Sequence, residues 1–536
     1  MNIKISNKVF NESTHTVLVE PLWSINNPYL DVLSPRFFSD VEIQNWSDLS
    51  KRVGRLFLES EKKHTSMVTA EQKAFEITEL INEGAFLPNS PVMMNSEHDG
   101  NANLFACHVL SPPAGISDLD VAKQIHDGCG GIGYDFSKMD DPVTATLNIE
   151  KQTQLLNPNR KRKAHSAVTV SYQHPKIQDF ILLSPELTIT HTNIEFDNEF
   201  FDRLAAGETE SLTLWNVLCK SIYKTGRPSL SFSSEKAKRS NSKLINNVCG
   251  ESLLRENESS LIGSINLTKF INAGVFDFDR FQNVAKIGLL CLDNLHDIQD
   301  HASELVQERC LESRKVGVGI MGYSDALLLL NMRYGSEESL AFVKKLMSLL
   351  QTTLISESER LGKERGYCNT ELLLKGTAPR RNVSLMAIPA NGTLSLIANV
   401  SGGIEPIFSY LIKQKVQDKI IYQLQPTFRN ILETHGVDSQ KVFDELKAGK
   451  VIEAIHQLPT QLKKVLVTAN DLTTQEHIFT QAMFQAYIDG GISKTINLPN
   501  SATIEDIKNA LLLAKEKGCI GVSLYRNGSL PGQPTQ

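Results

Sequence analysis

The sequence lacks the features that would place the protein in a membrane, in an oxidising compartment or on nucleic acid. Its 536 residues contain no apolar run of about eighteen, and the N-terminus has no apolar signal core. Its eight cysteines include no C-x-x-C pair, which argues against the common zinc and dithiol motifs. The net charge of -6 excludes bulk basic character. We expect a cytoplasmic protein with reduced thiols and neither membrane nor nucleic-acid partners.

What is present is an ordinary globular composition, with 41% hydrophobic and 22% charged residues. Residues 1–85 are predicted to be mainly helical, because four apolar residues recur at helical spacing: Leu49, Val53, Leu56 and Phe57. Over residues 86–528, short apolar runs alternate with longer helical patterns, which indicates a large α/β domain with parallel strands. Residues 529–536 are predicted to form a flexible polar tail.

Two local stretches carry predictions of their own. Thr503 and Asp506 predict a capping box at the start of an amphipathic helix near the end of the chain, and Gly518 can terminate that helix. The stretch "NPNRKRKAHS" (157–166) concentrates positive charge. Such a patch can hold a phosphate, but a solvated loop is the favoured interpretation. The thirteen histidines show no spacing that identifies a metal ligand.

The stretch "NNVCGE" places an amide, a thiol and a carboxylate two residues apart, at Asn247, Cys249 and Glu251. On an extended segment these side chains would point to the same side. The nearby carboxylate raises a thiol pKa, which argues against a thiolate nucleophile. A neutral thiol can instead give up a hydrogen atom, with Glu251 as general base and Asn247 as an orienting hydrogen-bond partner. The plain alternative is a buried structural cysteine.

Two turns are candidate ligand sites. In "MAIPANGTLSLIANV", an apolar strand leads through a Pro-Ala-Asn-Gly turn into a possible helix. Backbone N–H groups at a helix start suit a phosphate, although a plain turn is the commoner outcome. In "FLPNSPVMMN", Ser90 follows an asparagine at a sharp turn, where its hydroxyl can face a ligand or cap the backbone.

Taken in chain order, these segments resemble the catalytic subunit of ribonucleotide reductases, most closely the adenosylcobalamin-dependent class II enzymes. The resemblance extends from about residue 85 to 528. It is carried by an ordered series of segments: "FLPNSPVMMN", "FACHVL", "GCGGIGYDFSKM", "NNVCGE", "GSINL", "CLDNLHD", "RKVGVGIMGYSDALLLL", "NVSLMAIPANGTLSLIANVSGGIEPIF", "SKTINLP" and "GCIGVSLYR".

The resemblance implies a fold and an activity. The fold is an α/β barrel of ten strands in two five-stranded halves, with a central finger loop that carries Cys249 and an N-terminal helical region outside it. The activity is the reduction of ribonucleotides, expected as diphosphates, to 2'-deoxyribonucleotides, with the radical initiated by adenosylcobalamin, the vitamin B12 coenzyme. A homodimer is expected, with a monomer as the alternative.

The resemblance also implies residue roles. Cys249 corresponds to the cysteine that becomes a thiyl radical and takes the 3'-hydrogen of the ribose, while Asn247 and Glu251 match the residues around the 2' and 3' hydroxyls. Cys107 matches the cysteine that donates reducing equivalents. The residues implied in substrate binding are Ser90, Ala106, Gly131, Pro389, Ala390, Asn391, Gly392 and Thr393.

The chain departs from the family pattern in its redox residues and in its loops. Where the family's second redox cysteine would fall, the chain has Ser260, and the sequence ends without the family's cysteine pair. An external reductant, either formate or a thiol system, is therefore expected. The loops that respond to effectors are shortened or altered, so allosteric control is expected to be weak or lost.

Two alternatives remain at this point. One is a thiyl-radical enzyme that dehydrates or isomerises a nucleotide, since radical formation and loss of water need only Cys249 and Glu251. The other is a non-catalytic paralogue that binds nucleotide or a partner subunit. The joint presence of Asn247, Cys249 and Glu251 speaks against the second alternative, because a binding protein has no chemical need for that trio.

Overall fold

The helices follow the apolar periodicity of the sequence. The predicted helix near the end of the chain runs over Ile504–Glu516, with Thr503 and Asp506 forming the expected capping box. The predicted apolar face of the first helix is also confirmed, because its four residues are buried. The structure, a computed structural model, describes residue 37 and residues 45–96, 103–158, 162–416 and 419–529.

The elements are numbered in chain order. The helices are α1 Trp46–Glu61, α2 Met67–Asn82, α3 Ser90–Met94, α4 Ile116–Asp127, α5 Pro142–Leu156, α6 Ile177–Leu183, α7 Asn198–Ala205, α8 Thr209–Thr225, α9 Ser233–Ala237, α10 Phe278–Leu295, α11 Glu304–Ser313, α12 Tyr323–Leu329, α13 Glu337–Arg365, α14 Gly392–Ala398, α15 Pro426–Thr434, α16 Ser439–Lys447, α17 Thr460–Val465, α18 Thr474–Gln485 and α19 Ile504–Glu516. The strands are β1 Phe86–Pro88, β2 Cys107–Val109, β3 Gly131–Asp135, β4 Ser166–Ser171, β5 Thr190–Phe196, β6 Ser229–Phe232, β7 Ile245–Asn246, β8 Leu253–Leu254, β9 Glu258–Asn266, β10 Ile271–Asn272, β11 Val275–Phe276, β12 Val316–Met321, β13 Leu411–Val416, β14 Lys419–Leu424, β15 Thr495–Leu498 and β16 Gly521–Arg526.

The strands close into a barrel of two halves. Strands β2 to β6 lie side by side in chain order, and the pairings among these five strands are parallel. The second half contains β9, β12, the segment 384–388, β15 and β16. The halves meet where β2 pairs antiparallel with β9 and where β16 pairs antiparallel with β6. The expected ten-stranded barrel of two five-stranded halves is therefore confirmed.

The segment 384–388 completes the ring by hydrogen bonds at each of its ends. The N–H of Val316 on β12 donates to the C=O of Ser384 at 3.0 Å. At the other end, Ile388 forms a parallel bridge with Ile492, just before β15. Strand β1 lies outside this ring, since it pairs antiparallel with the far end of β9.

A short hairpin, β7 and β8, enters the barrel and carries residues 247–252 at its tip. We call residues 245–254 the finger loop. The loop runs close to β3, because a Cβ atom on Gly133 would lie 2.3 Å from the carbonyl oxygen of Asn246. It also runs close to the segment before β15, where a Cβ atom on Gly491 would lie 2.0 Å from the carbonyl oxygen of Gly250. Glycine at these two positions lets the loop fill the barrel interior.

Helices surround the barrel and form its outer layer. Helices α10 and α13 pack on the half that contains β9 and β12, together with α1 and α2. Helices α6, α8 and α19 belong to the core on the other half. A third apolar core lies in a separate lobe that includes the β13–β14 hairpin and α15 to α17.

The domain boundaries stay a prediction. Helices α1 and α2 lie within the predicted N-terminal region, but residues 1–36 and 38–44 are outside the described residues, as are residues 530–536 of the predicted tail. Of the helices in the described ranges, none is long and apolar enough to cross a membrane.

Candidate active site

The tip of the finger loop is a tight turn and not the extended segment expected from the sequence. The Asn247 N–H donates to the C=O of Ser252 at 3.1 Å, and the Ser252 N–H donates to Oδ1 of Asn247 at 3.0 Å. Gly250 lies between them with φ +77°, a conformation that favours glycine. The expectation of simple alternation was wrong because this reciprocal pair folds the chain back on itself. Asn247 thus has a structural use within the loop.

The finger loop brings Glu251 to the thiol of Cys107 on β2. The Sγ atom of Cys107 donates to Oε1 of Glu251 at 3.4 Å, although the residues are far apart in sequence. Both side chains are buried. Two of the predicted catalytic residues are therefore in direct contact.

The residue opposite Cys107 on the neighbouring strand is Ser260. The two are register partners in the antiparallel pairing of β2 with β9. The Ser260 hydroxyl donates to the C=O of Lys315 at 3.3 Å. Ser260, the departure from the family pattern noted in the sequence, therefore lies directly beside the candidate redox thiol of Cys107.

Cys249 has accessible surface, and that surface lines a cavity of about 330 Å³. The residue is exposed to this cavity, yet desolvation of the thiol by the surrounding protein atoms, followed by the Glu251 charge, raises the pKa of Cys249 to about 12. A small ligand can thus reach the sulfur, while the thiol stays neutral near pH 7.

Burial also shifts the other two titratable groups of the cluster. It raises the pKa of Cys107 well above its usual range, and the charges of Glu251 and Cys249 add to this effect. It raises the pKa of the Glu251 carboxyl as well, against hydrogen bonds from Asn247 and Cys107 that favour the charged form. Its second oxygen, Oε2, is buried without a hydrogen-bond partner. This carboxyl can therefore hold or release a proton close to both thiols.

The cavity beside Cys249 has polar groups that lack partners. Oδ1 of Asn246 and the hydroxyl of Tyr525 lie in its wall and are buried without hydrogen bonds. Buried polar atoms of this kind cost free energy unless a ligand or water satisfies them. A polar ligand or water in the cavity that bonded to these atoms would offset this cost.

Lys494 fixes another wall of this cavity, and the sequence pattern gave no signal for it. Its Nζ donates to Oε2 of Glu405 at 3.0 Å and to the C=O of Thr495 at 3.1 Å, and it lies 3.2 Å from Nδ1 of His477. The side chain is fully buried. Its three N–H donors thus face three acceptors, which holds the segment before β15 in place.

The predicted phosphate turn, residues 389–393, lies across Gly491 from the finger loop. The Gly491 N–H donates to the C=O of Glu251 at 2.8 Å, and its own C=O accepts from the N–H of Ile388 at 3.1 Å. The turn begins at the next residue, Pro389. The structure thus places the two predicted regions on opposite sides of one backbone segment.

The side chain of Asn391 holds this turn in shape. Its Oδ1 accepts from the Ser264 hydroxyl at 3.0 Å, and its Nδ2 donates to the C=O of Ile320 at 3.2 Å. The residue adopts φ +54°, which asparagine tolerates. At Gly392 a Cβ atom would meet no neighbour within 4 Å, so open space lies beside the start of α14.

The remaining predicted substrate residues lie near the same strands. Ser90 is the first residue of α3 and is buried. Gly131 donates its N–H to the C=O of Ala106 at 2.9 Å, and a Cβ atom at Gly131 would lie 2.9 Å from Cγ2 of Val248. Gly131 therefore has a packing reason to be glycine, whether or not a ligand binds there.

One residue of the basic stretch, Arg162, acts on the site through its charge. The guanidinium of Arg162 donates to the C=O of Cys129 at 3.0 Å and lines a second cavity, of about 460 Å³. Its charge acts to lower the pKa values of Cys249 and Glu251.

A barrel with a thiol-bearing finger loop defines a class of protein, and comparisons with known proteins agree with it. The family model described as "Ribonucleotide reductase, barrel domain" matches residues 195–371 and 373–525. The chain belongs to this family.

Individual relatives bear the names of ribonucleotide reductases. The chain is 30% identical over 499 residues to the vitamin B12-dependent ribonucleoside-diphosphate reductase of Thermoplasma acidophilum, covering 84% of this chain and 65% of that protein. It is 27% identical over 499 residues to a protein of the same name from Mycobacterium tuberculosis, covering 85% and 72%. The solved class Id ribonucleotide reductase alpha subunit of Actinobacillus ureae has the same fold, with a TM-score of 0.78 and 19% identity, covering 94% of this chain and 97% of that one. The chain thus spans just under two thirds of the length of the first of these relatives.

Proposed function

We propose that this protein is a ribonucleotide reductase that uses adenosylcobalamin and converts ribonucleotides, expected as diphosphates, to 2'-deoxyribonucleotides by thiyl-radical chemistry. The observation that carries the proposal is the cluster at the barrel centre, where Glu251 contacts the thiol of Cys107 at 3.4 Å and Cys249 lines the adjoining cavity. Family membership and the names of the relatives support the same activity.

The proposed roles follow from the state of each group. Cys249, with a pKa of about 12, keeps its hydrogen near pH 7 and can lose it as an atom. Glu251, whose pKa is raised by burial, accepts the proton of the 3'-hydroxyl as the 2'-hydroxyl leaves as water. Cys107, in contact with Glu251, donates a hydrogen atom to the carbon that lost the hydroxyl.

The cavity beside Cys249 fits the adenosyl part of the cofactor. Its volume of about 330 Å³ falls within the usual range for small-molecule sites, about 300–1,000 Å³. Asn246 and Tyr525 offer unpaired polar atoms that would hold the group. When bound, adenosylcobalamin would supply the organic radical that takes hydrogen from Cys249. The protein's own part is to hold that thiol at the wall of the cavity.

The turn at residues 389–393 is the proposed site for the substrate phosphates. Asn391 fixes its backbone, and the first N–H groups of α14 have no partner within the helix. Ser90, Ala106 and Gly131 complete the proposed substrate site on the resemblance alone.

The proposed partners are a ribonucleotide and an external reductant, either formate or a thiol system, and the proposed assembly is a homodimer in the cytoplasm. The external reductant is motivated by Ser260, which lies opposite Cys107 where an internal disulfide would need a second sulfur.

Product analysis tests this function. The purified protein is incubated without oxygen with adenosylcobalamin, each ribonucleoside diphosphate or triphosphate, and a reductant. A 2'-deoxynucleotide is expected, with diphosphates preferred. Release of free base or a keto-sugar without deoxynucleotide would contradict reduction and favour a dehydration or isomerisation reaction instead.

A further inference from the structure

We propose that Cys107 completes each turnover through a mixed disulfide with a small monothiol that enters the site, and not through a disulfide within the protein. This inference rests on the proposed function, in which Cys107 gives up its hydrogen. It concerns what becomes of that sulfur afterwards.

The position opposite Cys107 cannot form a sulfur bond. Directly opposed residues of an antiparallel pair have Cβ atoms about 4.5–5.5 Å apart, which is near the separation that a disulfide requires. Ser260 occupies that position, and its hydroxyl is committed to the C=O of Lys315. A hydroxyl cannot replace a thiol in a disulfide.

Neighbouring thiols do not provide a substitute. Cys310 is buried on α11, and its Sγ contacts the carbonyl oxygen of Ser259 at 3.9 Å. Its contact is thus with the backbone of β9. Cys249 acts on the pKa of Cys107, but the proposed chemistry uses it as the radical carrier.

A buried carboxylate oxygen beside Cys107 is without a partner and can hold a small polar molecule. Oε2 of Glu251 makes no hydrogen bond, and the residue is only 4% exposed. Oε1 of the same carboxyl already accepts from the Cys107 thiol. The Ser252 hydroxyl interacts with that thiol and acts to lower its pKa. The hydroxyl or amine of a small thiol would satisfy the free carboxylate oxygen as its sulfur approaches Cys107.

Access favours a small reductant over a protein. Cys107 is 4% exposed and lies on a central strand of the barrel. The dithiol of a folded protein cannot reach a sulfur at that depth without opening the barrel. A monothiol of a few heavy atoms can follow the path that the substrate itself uses.

The electron balance closes with two monothiols. One RSH gives its proton to the departing 2'-hydroxyl, which leaves as water, and becomes a thiolate. After Cys107 donates its hydrogen atom, its sulfur radical bonds to this thiolate, which gives a disulfide with one extra electron. That electron, with the proton that Glu251 took from the 3'-hydroxyl, converts the sugar ketone to a 3'-carbon radical. The carbon radical takes back the hydrogen atom held by Cys249, and the Cys107–S–S–R bond remains. A second RSH attacks the R sulfur, releases RSSR and restores the Cys107 thiol. In sum, two RSH are oxidised, one ribonucleotide is reduced and one water is released.

Trapping the mixed disulfide tests this inference. The enzyme with adenosylcobalamin and a ribonucleotide is given 2-mercaptoethanol, dithiothreitol, a thioredoxin system or formate, then quenched with acid and analysed by peptide mass spectrometry. With 2-mercaptoethanol we expect repeated turnover and an adduct on Cys107, absent from Cys107→Ser and from samples without nucleotide. Turnover only with the thioredoxin system or only with formate, or turnover with 2-mercaptoethanol but no adduct, would overturn the inference.

A matched variant, Ser260→Cys, provides the reverse test. A second sulfur opposite Cys107 should divert the radical into an internal disulfide. The adduct should then fall at least tenfold, and the quenched peptides should contain a cross-link between Cys107 and the sulfur introduced on β9. An unchanged adduct would contradict the geometry.

A separate readout distinguishes this inference from the proposed function. Cys249-dependent transfer of tritium from the 5' position of labelled adenosylcobalamin to water needs no reductant. Loss of that exchange would contradict the proposed function itself. Exchange that persists without any Cys107 adduct under turnover with 2-mercaptoethanol would contradict only the monothiol route.

Discussion

At the scale of single residues, burial selects the chemistry of each thiol. Desolvation raises the pKa of Cys249 to about 12, so a thiolate nucleophile is scarce near pH 7 while a hydrogen atom stays available. The same burial raises the pKa of Glu251, which lets a carboxyl act as a proton carrier at a pH where exposed carboxyls are ionised.

Replacement of Glu251 by glutamine should lower the activity and change how the free energy of unfolding depends on pH. We expect deoxynucleotide formation to fall by about 10²–10⁴-fold, the usual contribution of a general base.

The same substitution tests the pKa of Glu251. Because the folded-state pKa of Glu251 is raised, its contribution to wild-type stability is fully present below the unfolded value of 4.5 and is lost as pH rises through the folded pKa. The free energy of unfolding of Glu251→Gln relative to wild type should therefore increase from pH 4.5 upward. Urea unfolding across that range measures this, and a constant difference would contradict the raised pKa.

The sequence predicted which residue types share the site but not how they meet. Asn247, Cys249 and Glu251 were grouped by an alternation that the tight turn does not have. The contact of Glu251 with Cys107 depends on the pairing of distant strands, which no local pattern encodes. The catalytic roles of these residues stay predictions.

At the scale of elements, glycine allows the finger loop and the barrel wall to touch. Substitution of Gly491 by alanine places a Cβ atom 2.0 Å from the carbonyl oxygen of Gly250, and backbone must shift. We expect a loss of about 1–3 kcal/mol in unfolding free energy, typical of overpacking, and a fall in kcat of at least about tenfold.

The control for this prediction is Gly115→Ala. A Cβ atom there meets nothing within 4 Å, and its backbone is extended at φ -161°. Because Gly115 is the N-cap of α4, where alanine is less favourable, unfolding free energy should fall by only about 0.5–1 kcal/mol, while kcat should stay near wild type. Equal effects of the two substitutions would contradict the close approach at Gly491.

The turn before α14 offers a second prediction at this scale. Asn391→Gly keeps access to positive φ but removes the hydrogen bonds to Ser264 and Ile320. If the turn holds the substrate phosphates, KM for the nucleotide should rise about tenfold or more while the cofactor still binds. Steady-state kinetics measures this, and an unchanged KM would remove the turn from the substrate site.

Elements with strong periodicity were predictable, and the closure of the ring was not. The helix at Ile504–Glu516 was correct because its cap and its apolar face are local signals. The segment 384–388 joins the barrel through β12 on one side and Ile492 on the other, and these pairings span long stretches of chain. Only the family resemblance supplied the barrel in advance.

At the scale of the whole molecule, buried polar groups join the helical layer to the barrel. The fully buried Asp293 on α10 accepts hydrogen bonds from Arg314 at 2.8 Å and Arg381 at 2.6 Å. Glu61 on α1 accepts from Asn294 at 2.6 Å and Arg365 at 2.8 Å. Paired in this way, the buried charges fix how α1 and α10 sit against the barrel.

Buried histidines should make the fold sensitive to mild acid. Burial lowers the pKa values of His108 and His296 to about 3, against 6.5 for the ordinary side chain. Their contribution to stability is therefore fully present above pH 6.5 and is lost as pH falls toward 3, by up to about 1.4 kcal/mol per pH unit for each group. Unfolding free energies at pH 7, 6 and 5 should show this decline. His108→Gln should reduce the slope by the share of that group and leave the His296 contribution in place, and an unchanged slope would contradict the lowered pKa of His108.

The most direct measurement compares deoxynucleotide formation by wild type, Cys249→Ala and Cys368→Ala under anaerobic conditions with adenosylcobalamin, a ribonucleoside diphosphate and a reductant. Cys368 is a buried thiol whose loop position keeps it out of the finger loop and the cavity beside Cys249. We predict product from wild type and Cys368→Ala, and a loss of more than about 10³-fold for Cys249→Ala, since removing the reacting group leaves only residual catalysis. Turnover by a folded Cys249→Ala protein at a rate close to wild type would contradict the role assigned to the finger-loop thiol.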